Sequence, residues 1–577
     1  MSKVFSQVKG LHPKRSRFNV GYAKAYDCDM GQLIPTMVKY MVPGDIFRFS
    51  QEIVVRIPEP LKAPAMVDMN AHTSVFFVPL RILFGSMVTQ SGDPDSFKEW
   101  EVNDHDFEKF LTGGRSGKDN SVSLPLWIPT GSTVVNDNWN GIEPPSPGDP
   151  DNGSNKNWVN VSVEDNGKYS LWDYLENPTG VIPVGAYPLD FWKRAYNLIW
   201  NEWYRDENVM PPVDVANSDI VLNCCWKKDY FTSMLPWPQR GNPIGIPISG
   251  NTSVSLNVPA VAPVVYSAGY TAQEHQLAVV DSSKLGYHEG ESDDRLYDGS
   301  AATSLFAPIV ADLTGITGTA DLSLAATFTV NDLRLAFQVQ RWQELMARTG
   351  SRLVEYLKAN YGCSPTDDTL QRPMFVGGYK SPVIISEVLQ TSTGDNGVGS
   401  LAGHGLAADS NFVCKFRANE FGVLMALTTI RPKAMYHQGI DAENLYRSRY
   451  DLYNPAFVSL GEQGVKIAEL YAQNSGNVDA SGDPVIIGFQ GRYNELRASH
   501  DKICGGLRDQ LSYWIMKRSF GTAPELNGQF LKCNPTKDIF VVQDEPSFVV
   551  MVNNKISAYR PLPVFATPGY LDHLYGE

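Results

Sequence analysis

The sequence predicts a mostly β protein with long loops and a few helices. Aromatic residues make up 11% of the 577 residues, and glycine (48) and proline (38) are frequent. This composition favours strands with large buried contacts that alternate with many turns. Segments near both ends of the chain also alternate between apolar and polar residues with the period of two that strands have. The 43% apolar and 19% charged residues provide for a core and exclude global disorder.

The first strands are predicted in the N-terminal 80 residues. Along Asp45–Ser50 the side chains of Phe47 and Phe49 fall on one face, with polar residues on the other. The extended pattern continues through Ile53–Ile57, and His72–Val78 forms a second apolar run that ends at a proline. Both segments are therefore predicted as strands.

Further strands are predicted near the C-terminus, at Asn411–Arg417, Phe421–Ile430, Asp538–Val542 and Ser547–Val552. Their runs of β-branched and aromatic residues are typical of strands. Because several hundred residues separate the two groups, we expect a sheet that pairs distant segments through long connections.

Two helices stand out. Residues Asp190–Arg205 have apolar residues at helical spacing, with Asp190 placed as the N-cap. A second helix begins near Thr329, which has the capping-box spacing to Asp332. This helix carries an apolar stripe that we expect to pack in the core rather than to line a cofactor site. The stripe consists of Leu335, Val339, Trp342 and Met346.

Three long segments are predicted as loops, namely residues 103–178, 242–326 and 387–408, because turn-forming residues dominate them. Loops of this length within a compact domain usually have a function. Residues 242–326 contain nine acidic and two basic residues, and so account for half of the net charge of −14. This acidic segment and the basic N-terminus indicate two surfaces with different uses.

The N-terminal 26 residues are basic, with no acidic residue before Asp27. Two interpretations remain open: a solvated tail, or neutralisation of phosphates by sequence-independent contact with single-stranded DNA. A second basic pair, Arg447 and Arg449, lies beside aromatic residues and could stack on bases, although packing or salt bridges between subunits are the favoured interpretation. The candidate nucleic-acid contacts are Lys3, Lys9, Lys14, Arg15, Arg17, Arg447 and Arg449. The overall negative charge argues against nucleic acid covering the whole surface.

Seven scattered cysteines without a Cys-x-x-Cys pair predict buried free thiols rather than a disulfide framework. No signal-peptide pattern follows Lys3 and Lys9, and no apolar run of about 18 residues predicts a membrane span. We therefore expect a cytoplasm-like compartment and no membrane insertion.

No motif predicts a catalytic residue, a cofactor or a metal ion. Gly113–Lys118 lacks the first glycine and the final hydroxyl of a phosphate loop, and Asn136–Gly141 lacks the acidic ends of a calcium loop. The nine histidines contain no zinc motif. His404, flanked by glycines, is expected to make a packing contact or a hydrogen bond between subunits.

A series of motifs in the second half of the chain resembles, in content and order, the major capsid protein of the microviruses. These small bacteriophages contain single-stranded DNA, and the gokushovirus-like branch is the most similar. The motifs are Thr329-Val-Asn-Asp-Leu-Arg-Leu-Ala-Phe-Gln-Val-Gln340, Leu370-Gln-Arg-Pro373, Gly399-Ser-Leu-Ala-Gly-His-Gly405, Tyr450-Asp-Leu-Tyr-Asn-Pro455 and Leu460-Gly-Glu-Gln-Gly464. Further matches are Pro43-Gly-Asp45, Tyr204-Arg-Asp-Glu-Asn208 and Leu235-Pro-Trp-Pro-Gln-Arg-Gly241. The resemblance covers residues 28–84, 192–241 and 329–470.

The resemblance implies an all-β fold, an eight-stranded antiparallel jelly roll with long loop insertions. It implies a basic arm at residues 1–26 that faces the interior and a discontinuous jelly-roll domain at residues 27–577. Residues 103–178 would be a loop insertion, and the acidic residues 242–326 an exterior protrusion that contributes to host attachment. The implied assembly is a T=1 icosahedral shell of identical copies around a circular single-stranded DNA genome.

The implied partners are other copies of the chain, the genome, a small basic DNA-binding virion protein, a pilot or minor spike protein and a bacterial surface receptor. A scaffolding protein remains an open alternative partner. The implied location is the virion, with assembly in the bacterial cytoplasm. Two alternative functions are a β-sandwich that binds or cleaves carbohydrate and an internal scaffold protein. The first usually carries an export signal, and the second is usually short and helical.

Overall fold

The computed structural model describes residues 14–58, 60–89, 98–113, 121–127, 133–134, 158–161, 169–183, 187–241, 254–257, 265–267, 309–311, 317–320, 330–349, 352–367, 369–389, 401–473, 478 and 483–564. The chain divides into two compact units. The first contains residues 1–240 and 344–577, and the second contains residues 241–343.

The strands of the described residues are β1 (Ser16–Asn19), β2 (Tyr22–Cys28), β3 (Ile34–Met41), β4 (Ile46–Arg56), β5 (Met69–Pro79), β6 (Gly85–Thr89), β7 (Lys98–Val102), β8 (Thr133–Val134), β9 (Trp158–Val161), β10 (Gly180–Pro183), β11 (Val254–Asn257), β12 (Val265–Ser267), β13 (Ile309–Ala311), β14 (Thr317–Ala320), β15 (Met374–Leu389), β16 (Leu401–Arg417), β17 (Gly422–Pro432), β18 (Glu462–Lys466), β19 (Ile486–Gly491) and β20 (Phe548–Arg560). The helices are α1 (Asp104–Thr112), α2 (Leu171–Tyr174), α3 (Phe191–Ile199), α4 (Val330–Thr349), α5 (Leu353–Tyr361), α6 (Ile467–Leu470) and α7 (Gly528–Leu531).

The first unit is built on one antiparallel sheet with the strand order β1-β20-β4-β16-β15-β5-β17-β3, in which β2 also pairs with β20. Strand β1 pairs with Ser557–Arg560, and β2 pairs with Phe548–Asn554. These two short strands therefore follow one another along the same edge of β20. As a result, nine strands occupy eight positions in the sheet.

The sheet consists of two four-stranded halves, β2-β20-β4-β16 and β15-β5-β17-β3. They are joined by β15, which pairs with β5 along Met374–Val383 and with β16 along Ile384–Leu389. In an eight-stranded jelly roll, both halves of the sheet contain strands from the beginning and from the end of the chain, as they do here. The predicted fold class is thus confirmed, as is the expected pairing of distant segments.

The core of the roll lies between the two halves and follows the alternation seen in the sequence. Phe47 and Phe49 of β4 are buried while Arg48 is exposed, as predicted. Strand β20 alternates in the same way, with buried Val550 and Val552 between exposed neighbours. Strands β4 and β20 thus turn one apolar face inward, whereas β5 and β17 are buried on both faces because α3 packs against them from outside.

Polar side chains also lie inside the roll, where they link both halves. The Gln51 amide of β4 donates to Asn554 Oδ1 of β20 at 2.7 Å, and Asn554 Nδ2 donates to the Thr36 carbonyl of β3 at 2.9 Å. The Tyr379 hydroxyl of β15 donates to Gln51 Oε1 at 2.8 Å, and the Thr36 and Thr428 hydroxyls lie 3.3 Å apart. Satisfied hydrogen bonds in a buried network fix the register of the strands that carry them.

The predicted helix at Asp190–Arg205 is present as α3, followed by a π-turn at Trp200–Tyr204. The expected N-cap role of Asp190 is wrong, because its backbone is already helical (φ −76°, ψ −3°) and its side chain makes no capping bond. Instead its carboxylate lies 3.1 Å from Lys193 Nζ and 2.7 Å from Arg194 Nε. Asp190 therefore neutralises two cations of its own helix.

The expectation that the apolar stripe of α4 packs in the core holds only at its C-terminal end. Met346 is buried, whereas the side chains of Leu335 and Trp342 are 65% and 48% exposed. Thr329, the proposed capping residue, lies outside the described residues. Helical periodicity shows that a helix has an apolar face, but it does not show what covers that face.

Three strand and loop predictions are also wrong in part. The predicted loop 103–178 contains the helices α1 and α2. Asp538–Val542 is a turn with one bridge between Phe540 and Leu61. Its apolar residues Ile539 and Phe540 are buried in the core although the segment does not form a strand. Within the predicted loop 387–408, residues 401–408 belong to β16, and His404 lies opposite Ser386 of β15. Glycines and small residues are tolerated there because neighbouring backbones supply the ladder hydrogen bonds.

The sequence predicted that all seven cysteines are free and buried. All seven are free, and four of them are buried. Cys363 and Cys504 are exposed, so for these two the prediction is wrong. None of the helices in the described part of the chain is both long and apolar enough to cross a lipid bilayer.

The buried network predicts a large effect of Asn554→Ala. This substitution removes two buried hydrogen bonds and leaves the Gln51 amide only its longer bond to the Thr36 hydroxyl at 3.3 Å, so we expect the free energy of unfolding to fall by about 2–4 kcal/mol. Chemical denaturation of the purified chain measures this. Asn553→Ala is the matched control, because Asn553 is exposed and bonds only to Glu52 on the surface. Equal losses for the two variants would contradict a special role of the network.

Candidate interaction surfaces

The basic N-terminal residues that the structure describes lie on the edge of the sheet. Lys14, Arg15 and Arg17 are exposed, and Lys3 and Lys9 lie outside the described residues. The Arg15 guanidinium lies 6.0 Å from the ring centre of Tyr559, and Arg17 Nε donates to Ser557 Oγ at 2.7 Å. These contacts orient both arginines along β20 and leave their charges accessible to an anion.

Lys24, also part of the basic N-terminus, has a structural role instead. Its ammonium donates to the Pro35 carbonyl at 2.8 Å and lies 3.4 Å from the carboxylate of Glu176. Burial lowers the pKa of Lys24, and the Glu176 carboxylate opposes this effect. Lys24 therefore does not contribute to an exposed basic surface.

Arg447 and Arg449 lie on one exposed turn. The turn is held by the Asp451 carboxylate, which accepts hydrogen bonds from the backbone amides of Arg447 at 2.7 Å and Ser448 at 2.8 Å. These backbone bonds lower the pKa of Asp451. The Arg449 guanidinium lies 4.8 Å from the ring centre of Tyr450. Within the described residues, no hydrogen bond or ring contact joins this turn to the basic residues of β1.

The chain that follows this turn exposes large apolar side chains in close succession. Leu452, Tyr453 and Leu460 are 59%, 58% and 63% exposed, and Tyr450 is 53% exposed. We call residues 450–460 the apolar turn surface. Such a concentration of exposed apolar groups is typical of an interaction surface rather than of a monomer exterior.

The backbone beneath the apolar turn surface is firmly held. The Tyr493 hydroxyl accepts a hydrogen bond from the Asn454 amide and donates one to the Leu452 carbonyl, both at 3.2 Å. The rings of Tyr453 and Tyr493 are 5.1 Å apart in an edge-on arrangement. Because Tyr493 is buried, it anchors the turn while the neighbouring apolar side chains project outward.

The structure contains a cavity of about 540 Å³ between the segment at Trp226 and residues 517–536. The sequence did not predict this cavity. Its central residue is Arg518, which is only 8% exposed. The Arg518 guanidinium lies 4.0 Å from the ring centre of Phe530 and 5.4 Å from those of Trp226 and Phe520. Lys532 also lines the cavity.

The charge of Arg518 has no direct carboxylate partner among the described residues. Its guanidinium donates to the Tyr436 hydroxyl at 3.2 Å and to the Phe530 carbonyl. Burial, followed by the nearby Asp229 carboxylate, raises the pKa of Tyr436, so this hydroxyl stays neutral. The lining includes three cations (Lys517, Arg518 and Lys532) and one carboxylate (Glu525). Together with the aromatic rings and a volume of this size, this excess of positive charge suits an anion that carries a flat ring. The signal in the sequence was Lys517-Arg518 beside Phe520, but Trp226 is brought there only by the fold.

None of the remaining candidate motifs forms a chemical site within the residues that the structure describes. Among the described residues, no cluster of histidine, cysteine and carboxylate side chains could hold a metal ion. Gly113 ends α1 in the left-handed conformation (φ 70°), and the rest of the phosphate-loop-like motif lies outside the described residues, as does Asn136–Gly141.

The chain is similar to known proteins along most of its length. The family model described as "Capsid protein (F protein)" matches residues 6–104 and 152–570. Three similar proteins are each named capsid protein VP1. That of Chlamydia phage 1 is 29% identical, with 99% of this chain and 98% of the relative aligned. That of Bdellovibrio phage phiMH2K is 29% identical (98% and 97% aligned), and that of Spiroplasma virus 4 is 27% identical (98% and 97% aligned).

Proposed function

Because the chain belongs to the family of phage capsid proteins that the F protein represents, we propose that its copies close into a T=1 icosahedral shell around a circular single-stranded DNA genome. The family membership confirms the resemblance found in the sequence and identifies a structural protein of the virion rather than an enzyme. The carbohydrate-active and scaffold alternatives are therefore set aside.

The apolar turn surface is the observation that carries the proposal. A shell of identical copies needs a repeated lateral contact, and such contacts bury apolar and aromatic side chains at their centre. The jelly roll supplies the rigid body, and residues 450–460 supply exposed tyrosines and leucines on an anchored backbone. We assign this surface to the contact between neighbouring copies.

The genome contact is assigned to the exposed cations. Lys3, Lys9, Lys14, Arg15 and Arg17 would form an interior-facing arm within residues 1–26, and Arg447 and Arg449 would add a second contact. The Arg518 cavity offers room for a nucleotide, with its phosphate on the cations and its base on the rings. Since the net charge is −14, a separate small basic DNA-binding protein is needed to neutralise most of the genome.

The acidic insertion at residues 242–326 is assigned to the exterior, where it would meet the bacterial receptor. A pilot or minor spike protein, and a scaffolding protein during assembly, complete the proposed partners. We place assembly in the bacterial cytoplasm. The remainder, residues 27–577, would form one discontinuous jelly-roll domain, with residues 103–178 as a further loop insertion.

The assembly proposal is tested by Leu452→Asp. A charge at the centre of a buried contact opposes association strongly, so we expect this variant to remain a folded single copy while the unchanged chain forms particles. Size-exclusion chromatography and negative-stain microscopy measure the outcome. Ile220→Asp is the control, since Ile220 is also 63% exposed but lies elsewhere. Normal particles from Leu452→Asp would remove the apolar turn surface from the proposal.

The genome contact is tested by replacing Lys14, Arg15 and Arg17 with serine. Loss of three phosphate-binding cations should lower the retained DNA more than the yield of shells, and should flatten the dependence of DNA binding on salt. The DNA content per particle is measured by absorbance and electrophoresis. Serine at Lys62, Lys358 and Lys415 removes the same charge from other exposed positions. Equal loss of shells and DNA would indicate a purely architectural arm.

The role of the acidic insertion is tested by deleting residues 250–320. Because this segment is assigned to the exterior, we expect particle formation to continue while adsorption to the host is lost. Particle yield and the fraction of bound particles are measured separately. An insoluble truncated chain would show that the segment belongs to the core of the fold.

A further inference from the structure

Two segments that are far apart in the sequence run antiparallel beside each other around Cys224 and Cys533. Cys225 and Lys532 form an antiparallel bridge. The Cys533 amide donates to the Cys224 carbonyl at 2.8 Å, and the Trp226 amide donates to the Leu531 carbonyl at 2.9 Å. This register places Cys224 directly opposite Cys533.

The two thiols meet in a closed apolar environment. Both cysteines are fully buried and form a small cluster with Trp226. Cys224 Sγ lies 3.2 Å from the Thr429 hydroxyl, and both thiols belong to the same cluster. Opposite residues of this kind have Cα atoms about 5.5 Å apart, which lies within the range that a disulfide spans.

The surroundings also distinguish the two sulfurs. Burial raises the pKa of the Cys224 thiol, but the hydrogen bond from Cys533 and the Arg431 guanidinium outweigh burial and lower it to about 7. The hydrogen bond to Cys224, together with burial, raises the pKa of Cys533. The surroundings therefore favour the thiolate of Cys224 over that of Cys533, and a thiolate is the form that acts as a nucleophile.

We propose that Cys224 and Cys533 form a reversible disulfide when the protein meets a small peroxide. The Cys224 thiolate attacks the peroxide, so that a sulfur–oxygen bond forms, the oxygen–oxygen bond breaks and hydroxide leaves to become water. The Cys533 sulfur then attacks the Cys224 sulfenic acid; a sulfur–sulfur bond forms, and a second water leaves with the Cys533 proton. Two thiols are oxidised by two electrons, and one peroxide is reduced to two waters.

This bond would join the segment that follows α3 to the segment that leads into β20. It would close a loop of about 300 residues, and crosslinks over long loops restrict the unfolded chain most strongly. The protein would thus gain stability on passing from a reducing to an oxidising medium. The inference concerns the folded chain itself and does not depend on the proposed shell, genome or receptor.

The test uses the full chain with Cys363 and Cys504 replaced by serine, which removes the exposed thiols and prevents links between chains. The protein is treated with hydrogen peroxide, its free thiols are alkylated under denaturing conditions, and tryptic peptides are mapped without reduction. We expect a link between the peptides Asp206–Lys227 and Cys533–Lys537 that dithiothreitol removes. We also expect a rise of a few degrees in Tm on oxidation.

Because the first peptide contains both Cys224 and Cys225, two further variants identify the sulfur involved. Cys225→Ser should retain the link and the rise in Tm, whereas Cys224→Ser should lose both. If either variant fails to fold, the fragment masses of the linked peptide from the parent chain still assign the sulfur. Peroxide treatment that leaves Cys224 and Cys533 free to be alkylated, or that links Cys225 instead, would overturn the proposal.

Discussion

The structure depends on the insertion of its last strand between its first ones. Strand β20 pairs with β1 and β2 on one side and with β4 on the other, so one half of the roll cannot close until the chain has returned from its insertions. Apolar contacts favour this return but do not fix the register. The hydrogen bonds of Asn554 with Gln51 and Thr36 do, because a shift of one residue would turn Asn554 outward and leave its buried partners unsatisfied.

The same constraint explains why the long connections between the strands can lie outside the sheet. Once strands from both ends are held in register, the segments between them need not contribute to the sheet, and the acidic residues 242–326 fall within a unit of their own at residues 241–343. A jelly roll therefore separates the part of the chain that must keep its shape from the parts that contact other molecules. In our proposal the apolar turn surface belongs to the second kind, although Tyr493 fixes its backbone.

The sequence was sufficient to predict the strands whose residues alternate simply, such as Phe47 and Phe49 in β4. It predicted only the first part of β20, because Asn553, Asn554 and Lys555 interrupt the apolar run. Asn554 is nevertheless buried, and only the packed roll shows that its polar atoms are satisfied there. Conversely, Asp538–Val542 looked like a strand because Ile539 and Phe540 are apolar, yet these side chains fill the core from a turn.

The surfaces were predicted less completely than the fold, for a physical reason. Motifs that are continuous in the sequence, such as Arg447 and Arg449 or residues 450–455, could be singled out. The Arg518 cavity could not, since Trp226 and Phe530 meet there only after folding. The exposure of Leu335 and Trp342 on α4 was equally inaccessible, because periodicity does not distinguish a face that packs within the chain from one that is left uncovered.

Electron cryomicroscopy of particles assembled from the full-length chain would show which surfaces of neighbouring copies meet. We expect closed icosahedral particles built from the jelly roll, in which residues 450–460 are covered by a neighbouring copy. Particles whose residues 450–460 face solvent, or a chain that remains a single copy at every concentration, would contradict this expectation.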